Sequence, residues 1–420
     1  MRVLWLTDNS SVGTDKLKNR EVGSAWIVSL EAELTKIQGV ELGVLFTCRQ
    51  TDVEKFTVGT TQYFPVPVIH PKGKLRQVLA RYRHDIDTEE IVEKYLEVIE
   101  EFKPDVIHIF GSEHNFGLII PRISVPCIIH LQGNLTVNGI KWFSGLSAAD
   151  VYKYSNKWLI ARGHGLYHWY FVNRKAAERE RRIFRECRYF MGRTDWDRRL
   201  AAVMSPGSEY FHCEEIMRPA FYNMTWPNPA GNESFTIVST IRNNIYKGLE
   251  TIVESKRILS QNFPGKKITW KIAGITENDE ISAMVARKLN VSYSSLDIQL
   301  AGSLNEDQLI VNMQGANLFV HASHIENSSN SICEAMLMGM PVIATYAGGT
   351  PAAITDSKEG LLVQDGDPYA LAGAILEIMN NNQYAVQLGK NARERALARN
   401  QPDKVVGEVV KIYSSVVSGK

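Results

Sequence analysis

The chain has 420 residues, 44% hydrophobic and 22% charged, more than a single core usually takes and a fit for two domains of roughly 200 residues each. Its 47 basic and 46 acidic side chains nearly cancel, which excludes the bulk electrostatics of a nucleic-acid binder. The five cysteines, Cys48, Cys127, Cys187, Cys213 and Cys333, are scattered, odd in number and never spaced C-x-x-C, so neither a disulfide framework nor a zinc site is expected and a reducing cytoplasm is.

The opening MRVLWLT reads as a strand rather than the charged and apolar regions of a secretory signal, and no run approaches about 18 apolar residues. A polar loop follows over 8–21, and Gly23 and Ser24 open a helical pattern, AWIVSLEAELTK. Strands are expected at 40–46 and 63–68. An acidic helix over 88–102 is stopped by Lys103-Pro104 and leads into the strand VIHIF. A further strand is expected at 127–131. Residues 141–189 mix aromatic side chains with Lys and Arg, which reads as long helices with solvated basic faces. A second reading is contact with an anionic membrane surface or a lipid-linked acceptor, with KGKLRQVLARYR at 72–83 as another basic candidate. Strands at 189–192 and 210–213 flank a helix at 194–204. Residues 217–234 hold three prolines and no period, the pattern of a linker.

The second half repeats the alternation: strands at 235–239, 268–273, 298–301 and 318–320, with helices at 248–261, 279–288 and 306–313. A strand at 361–363 and helices from Pro368 and Tyr384 follow. Gln401-Pro402 breaks the last pair of helices and leaves 403–417 amphipathic, fit to dock back on the first domain. Alternating strands and helices imply parallel, doubly wound α/β sheets with ligands at the strand C-terminal ends. The expected domains are 1–220, 221–402 and the terminal helix 403–420.

The stretch 321–349, HASHIENSSNSICEAMLMGMPVIATYAGG, carries the strongest chemistry. A polar loop joins a buried strand to a helix, and a helix N-terminus beside a strand end favours phosphate. Ser331 and Glu334 have capping-box spacing, with Asn330 and Ser329 as alternative caps. Glu326 and Glu334, eight residues apart, can face one anion site, which makes sense when both carboxylates accept hydrogen bonds from sugar hydroxyls attached to the phosphate. In STIRNNIYKGLE at 239–250, Arg242 and Lys247 follow a strand end, the cations expected where a diphosphate leaving group gathers charge. Three D-x-D triplets, Asp85/Asp87, Asp195/Asp197 and Asp365/Asp367, are discounted as metal sites; the last reads as a helix cap.

With these motifs the chain resembles the retaining glycosyltransferases of family four, which pair two Rossmann-like domains across a cleft in the GT-B fold. The likeness rests on E-x7-E at Glu326 and Glu334, EAMLMGMPVIAT, Gly348-Gly349, GLLVQDGDPYALAGAI and the Arg242…Lys247-Gly248 loop; KPDVIHIFGSEH and the Gly23 loop match more loosely. It implies that Glu334 binds ribose, Glu326 a donor-sugar hydroxyl, and Arg242 and Lys247 the pyrophosphate, with Arg242, Lys247 and Glu326 as the catalytic set. Asn327, Ser328, Ser329, Asn330 and Gly23 would add donor contacts. Three departures stand out: Asn327-Ser328-Ser329 replaces Gly-Phe-Gly, Ala352 stands where a Glu is usual, and Gln132 stands where a His is usual. Gln132, Glu113 and His114 are the acceptor-side candidates, with His130 behind them.

The resemblance implies metal-independent transfer, with no cofactor, from a nucleotide-diphosphate sugar to a saccharide or lipid-linked acceptor in polysaccharide or glycan synthesis, by a cytoplasmic protein or one on the inner membrane face. The alternatives are a catalytically silent sugar-nucleotide sensor or scaffold, an epimerase, or a phosphorylase of the same architecture.

Overall fold

A computed structural model describes residues 1–16, 25–50, 53–68, 73–83, 88–229 and 234–419. The chain divides into two compact units: Met1–Thr136 with Val172–Arg218 and Asn400–Lys420, and Val137–Phe171 with Pro219–Arg399.

The first unit is built on strands β1 (Arg2–Thr7), β2 (Glu41–Cys48), β3 (Phe56–Val58), β4 (Thr61–Pro67), β5 (Val106–Phe110), β6 (Cys127–His130), β7 (Tyr189–Gly192) and β8 (Glu209–His212). Their order is β3-β4-β2-β1-β5-β6-β7-β8. All pairings are parallel except β3 with β4. The central strands are mostly apolar and almost wholly buried, as a sheet covered on both faces demands; β5 is buried at every position, His108 included. The strand order reverses between β1 and β5.

The helix Pro402–Ser418 belongs to this unit. Val405, Val409, Ile412 and Val416 share a core cluster with Val3, Trp5 and Trp26, the 3–4 residue spacing of a stripe pressed on a sheet. Its Tyr413 ties the core with polar contacts: Trp5 Nε1 donates to the hydroxyl at 3.0 Å, and that hydroxyl lies 2.6 Å from His108 Nδ1. His108 Nε2 lies in turn 3.2 Å from His130 Nδ1. Burial pushes His108 down to about 3 and His130 well below its usual range, so both rings are neutral near pH 7. The Tyr413 hydroxyl thus serves both Trp5 and His108, and the His108 ring links it to His130.

The second unit holds β9 (Phe235–Thr240), β10 (Ile268–Ala273), β11 (Ile298–Gly302), β12 (Leu318–His321), β13 (Val342–Thr345) and β14 (Leu361–Val363). All are parallel, in the order β11-β10-β9-β12-β13-β14. Here the reversal falls between β9 and β12.

The expected boundary of 1–220 does not hold at residues 137–171, which fold with the second unit. The reason is apolar and ionic contact: Trp142, Leu146, Val151 and Leu166 enter the cluster of Ile237, Leu249 and Ile281. Lys288 pairs with Asp150 at 3.0 Å, and Glu280 Oε2 accepts from Leu166 N at 2.7 Å. The expected long helices are mostly short: Leu135–Lys141, Ala148–Tyr154 and Lys157–Ala161 precede one long helix, Leu166–Glu186.

The linker is not free either. It forms a helix, Pro219–Asn223; Trp226 N donates to Met338 O and Trp226 Nε1 to Ala316 O, both at 2.7 Å. Among the described residues no helix is long and apolar enough to cross a membrane.

Candidate active site

In doubly wound sheets the loops that leave the two strands flanking the order reversal open a crevice for ligands. In the second unit those loops are 241–248, after β9, and 322–329, after β12, the two stretches singled out by sequence.

Lys247 Nζ donates to Glu326 Oε2 at 2.6 Å, with both side chains less than one-fifth exposed. His321 Nε2 lies 3.3 Å from the same oxygen. Burial opposes ionisation of Glu326, yet the Lys247 charge and the His321 hydrogen bond outweigh it and hold the carboxyl far below the usual range. Gly248 makes the close approach possible: its φ is +74°, and a Cβ there would lie 1.9 Å from Ala322 O. Gly348, at φ +53°, crosses equally near Glu326 O, and Gly349 N donates to that oxygen at 2.9 Å.

The helix after the loop spans Asn330–Met338, with Ser329 as its N-cap and Asn330 as its first residue. The expected Ser331–Glu334 capping box is not formed: the helix starts earlier, Ser331 lies inside it and meets Ser329 Oγ at 2.9 Å, and Ser329 makes no side-chain cap bond. Glu334 is buried in the second helical turn. Asn327 and Ser328 are buried in the loop, and Asn327 N donates to Glu326 Oε1 at 3.3 Å. Arg242 sits exposed just beyond β9, and its carbonyl accepts from Asn244 N at 2.6 Å. The structure thus joins Lys247 to Glu326 directly and puts Arg242, Ser329, Asn330 and Glu334 on the same two loop-to-helix elements. Gly23 lies outside the described residues.

Sequence reading missed the support beneath this loop. His324 is fully buried, with Nε2 2.6 Å from Glu250 Oε1 and Nδ1 3.5 Å from Asp365 Oδ2. Burial disfavours the imidazolium, but Glu250 and Asp365 together raise His324 above its usual value, and His324 lowers Glu250 against the same penalty. Gly145 packs over the pair so closely that a Cβ would lie 2.2 Å from Glu250 Oε1, and Lys141 Nζ lies 3.5 Å from Asp365 Oδ2. The only sequence signal was a second histidine three residues after His321. Asp367 caps the helix Pro368–Asn380 through Tyr369 N and Ala370 N, as its position suggests.

In the first unit the reversal flanks hold Asp8 after β1 and Glu113 with His114 after β5. His114 Nε2 lies 3.5 Å from Asp8 Oδ2, and that hydrogen bond lowers the Asp8 carboxyl. Burial, together with the nearby Glu180 charge, raises Glu113. Glu180 is fully buried and accepts from Ser112 Oγ, Leu135 N, Thr136 N and Thr136 Oγ1 at 2.7–2.9 Å. Gln132 Oε1, after β6, accepts from Arg193 Nη1 at 3.4 Å. His130 is committed to the His108 chain in the core.

Residues 223–395 match the family described as Glycosyl transferases group 1, so the second unit carries that domain. A D-inositol 3-phosphate glycosyltransferase of Corynebacterium urealyticum is 25% identical over 175 residues, 40% of each chain. The chain aligns with about two fifths of the length of the curated relatives it matches first. Sucrose-phosphate synthase from Thermosynechococcus elongatus superposes with a TM-score of 0.72 at 16% identity, covering all of both chains. Anabaena HepE in complex with UDP-glucose superposes at 0.63 and 16% identity, covering 99% and 100%. The architecture is the pair of Rossmann-like domains called GT-B.

Proposed function

We propose that the protein is a metal-independent, retaining glycosyltransferase that moves a sugar from a nucleotide diphosphate to a saccharide or lipid-linked acceptor in glycan synthesis. The observation that carries this reading is the Lys247–Glu326–His321 contact at the strand-order reversal of the group 1 domain. A carboxylate kept ionised beside an ammonium, next to a helix N-terminus, suits a ligand that is half polyol and half polyanion.

In the proposed reaction the bond from the sugar C1 to the diphosphate oxygen breaks, and an acceptor hydroxyl oxygen bonds to C1 on the same face. Its proton passes to the departing phosphate oxygen. Lys247 and Arg242 stabilise the charge that builds on the leaving group, in a partly dry site where such charges act most strongly. Glu326 accepts from a donor-sugar hydroxyl, Glu334 from ribose, and Asn327, Ser328, Ser329 and Asn330 line the approach. Gln132, Glu113 and His114 are proposed to meet the acceptor; Gln132 orients a hydroxyl and cannot take its proton.

Peripheral membrane contact, on the inner face of a cytoplasmic membrane, is carried by a separate observation. Tyr152, Trp158 and Phe171 are exposed, with Lys157 Nζ 3.8 Å over the Tyr152 ring and Arg162 4.1 Å over the Trp158 ring. Wild-type protein is expected to pellet with anionic liposomes at low salt; failure removes this part of the reading.

The decisive experiment is a binding screen of nucleotide sugars followed by product analysis. Transfer with the anomeric configuration kept is expected. Nucleotide binding without hydrolysis or transfer from any donor would leave the silent sensor instead.

A further inference from the structure

The second unit contains a cavity of about 700 Å³ at some distance along the chain from Glu326 and Glu334. Its walls come from three places: the 137–171 segment, the loop after β9, and the start of the helix Glu280–Leu289. Trp142 and Trp169 supply aromatic surface, Asn243 an amide, Asp279 and Glu280 carboxylates, and Arg287 a guanidinium.

Two wall residues carry a buried polar atom with no hydrogen-bond partner, the donor Trp142 Nε1 and the acceptor Glu280 Oε1. Both atoms are shielded from solvent, so the polar groups a ligand reaches are the solvent-accessible ones of the wall, Asn243, Asp279 and Arg287. The carboxylates outnumber the cation two to one, which disfavours phosphate and favours a neutral ligand that donates hydroxyls. An indole face beside hydroxyl-binding groups fits the ring of a sugar, whose C–H face is apolar and whose rim is polar.

We propose that this cavity is a binding subsite for a neutral saccharide, holding the part of the acceptor remote from the reacting hydroxyl. The acceptor role rests on the transferase reading above; saccharide binding itself does not. The link to the diphosphate site is short. The Trp142 ring lies 5.5 Å from Tyr246, edge to face, and Lys247 Nζ lies 5.8 Å from the Tyr246 ring centre. Anchoring a remote sugar here orients the acceptor beside Lys247, and remote binding energy of this kind assists the chemical step.

The test uses the full chain on an array of neutral oligosaccharides, with UDP titrated separately by calorimetry. Wild type is expected to bind at least one glycan. Trp169→Ala, at a half-exposed position, is expected to weaken that glycan at least tenfold and to leave UDP affinity within twofold. A thermal melt verifies that this variant is folded. Lys247→Ala separates the two readings: it is expected to lose UDP and turnover while keeping the glycan. No glycan bound by wild type, equal glycan binding by a folded Trp169→Ala, or loss of UDP in that variant would overturn the subsite, the last because the cavity would then hold the nucleotide.

Discussion

The two units reverse their strand order in the same way and use the place differently. In the second, the crossing is charged, tightly packed and local: Lys247 and Glu326 form a direct ion pair between two short loops, with a helix starting four residues later. In the first, Asp8 and His114 meet at 3.5 Å and are both substantially exposed, while the buried carboxylate nearby, Glu180, comes from a helix some seventy residues further on. Under the proposed function, the fixed charged grip is assigned to the nucleotide diphosphate and the more exposed crossing to the acceptor.

That contrast is broken most directly by mutation at both crossings. Lys247→Ala is expected to lower turnover by about 10²–10³, the usual loss for one preorganised group facing developing charge, whereas His114→Ala should change it less than about tenfold and mainly through the acceptor KM. Steady-state kinetics with the donor found by the screen decides; the reverse ranking sinks the assignment. The glycines sharpen it next. Gly248→Ala is expected to cost about 1–3 kcal/mol, because a backbone carbonyl blocks the new Cβ. Gly111→Ala meets a movable target, the Glu113 carboxylate, and should cost less in urea titration.

Acidity should separate the units by sign. His324 is raised in the folded state, so the stability it adds is complete below its unfolded value near about 6.5 and is lost as pH rises through its folded value. His108 and His130 are lowered, so the unfolded chain binds more protons and the first unit weakens as pH falls below about 6.5. Calorimetry at about pH 5 and pH 8 is expected to move the two transitions in opposite directions, with His324→Gln removing the alkaline loss. Tyr413→Phe should destabilise the first unit by about 1–3 kcal/mol by stranding Trp5 Nε1 and His108 Nδ1. The smallest effect is none: EDTA is expected to leave turnover unchanged, and its loss would contradict a metal-independent transfer.

Much of this was legible in the sequence where the chemistry is local. Strand, loop and helix at 318–338 follow each other directly, so Glu326, the glycines and the helix start could be read from spacing, apart from the capping box that gave way to Ser329. Arg242 and Lys247 were legible for the same reason, each lying within eight residues of a strand end. What stayed hidden depends on long separations. Glu250 meets His324 across 74 residues and Lys141 meets Asp365 across 224, and no periodicity reports such pairs. The 137–171 segment was misplaced because its apolar stripe, Trp142, Leu146 and Val151, says that it is buried and not against which core.

The backbone passes from one unit to the other four times, after residues 136, 171, 218 and 399. No single uninterrupted fragment therefore consists of either unit alone. A piece cut at the family boundaries, 223–395, would leave behind Lys141, Gly145 and Trp142, exposing Asp365, the Glu250–His324 pair and Tyr246 to water. Loss of nucleotide affinity in such a truncation would report a missing wall rather than a missing ligand contact. Dissection of this molecule calls for point changes or a circularly rearranged chain, not for scissors.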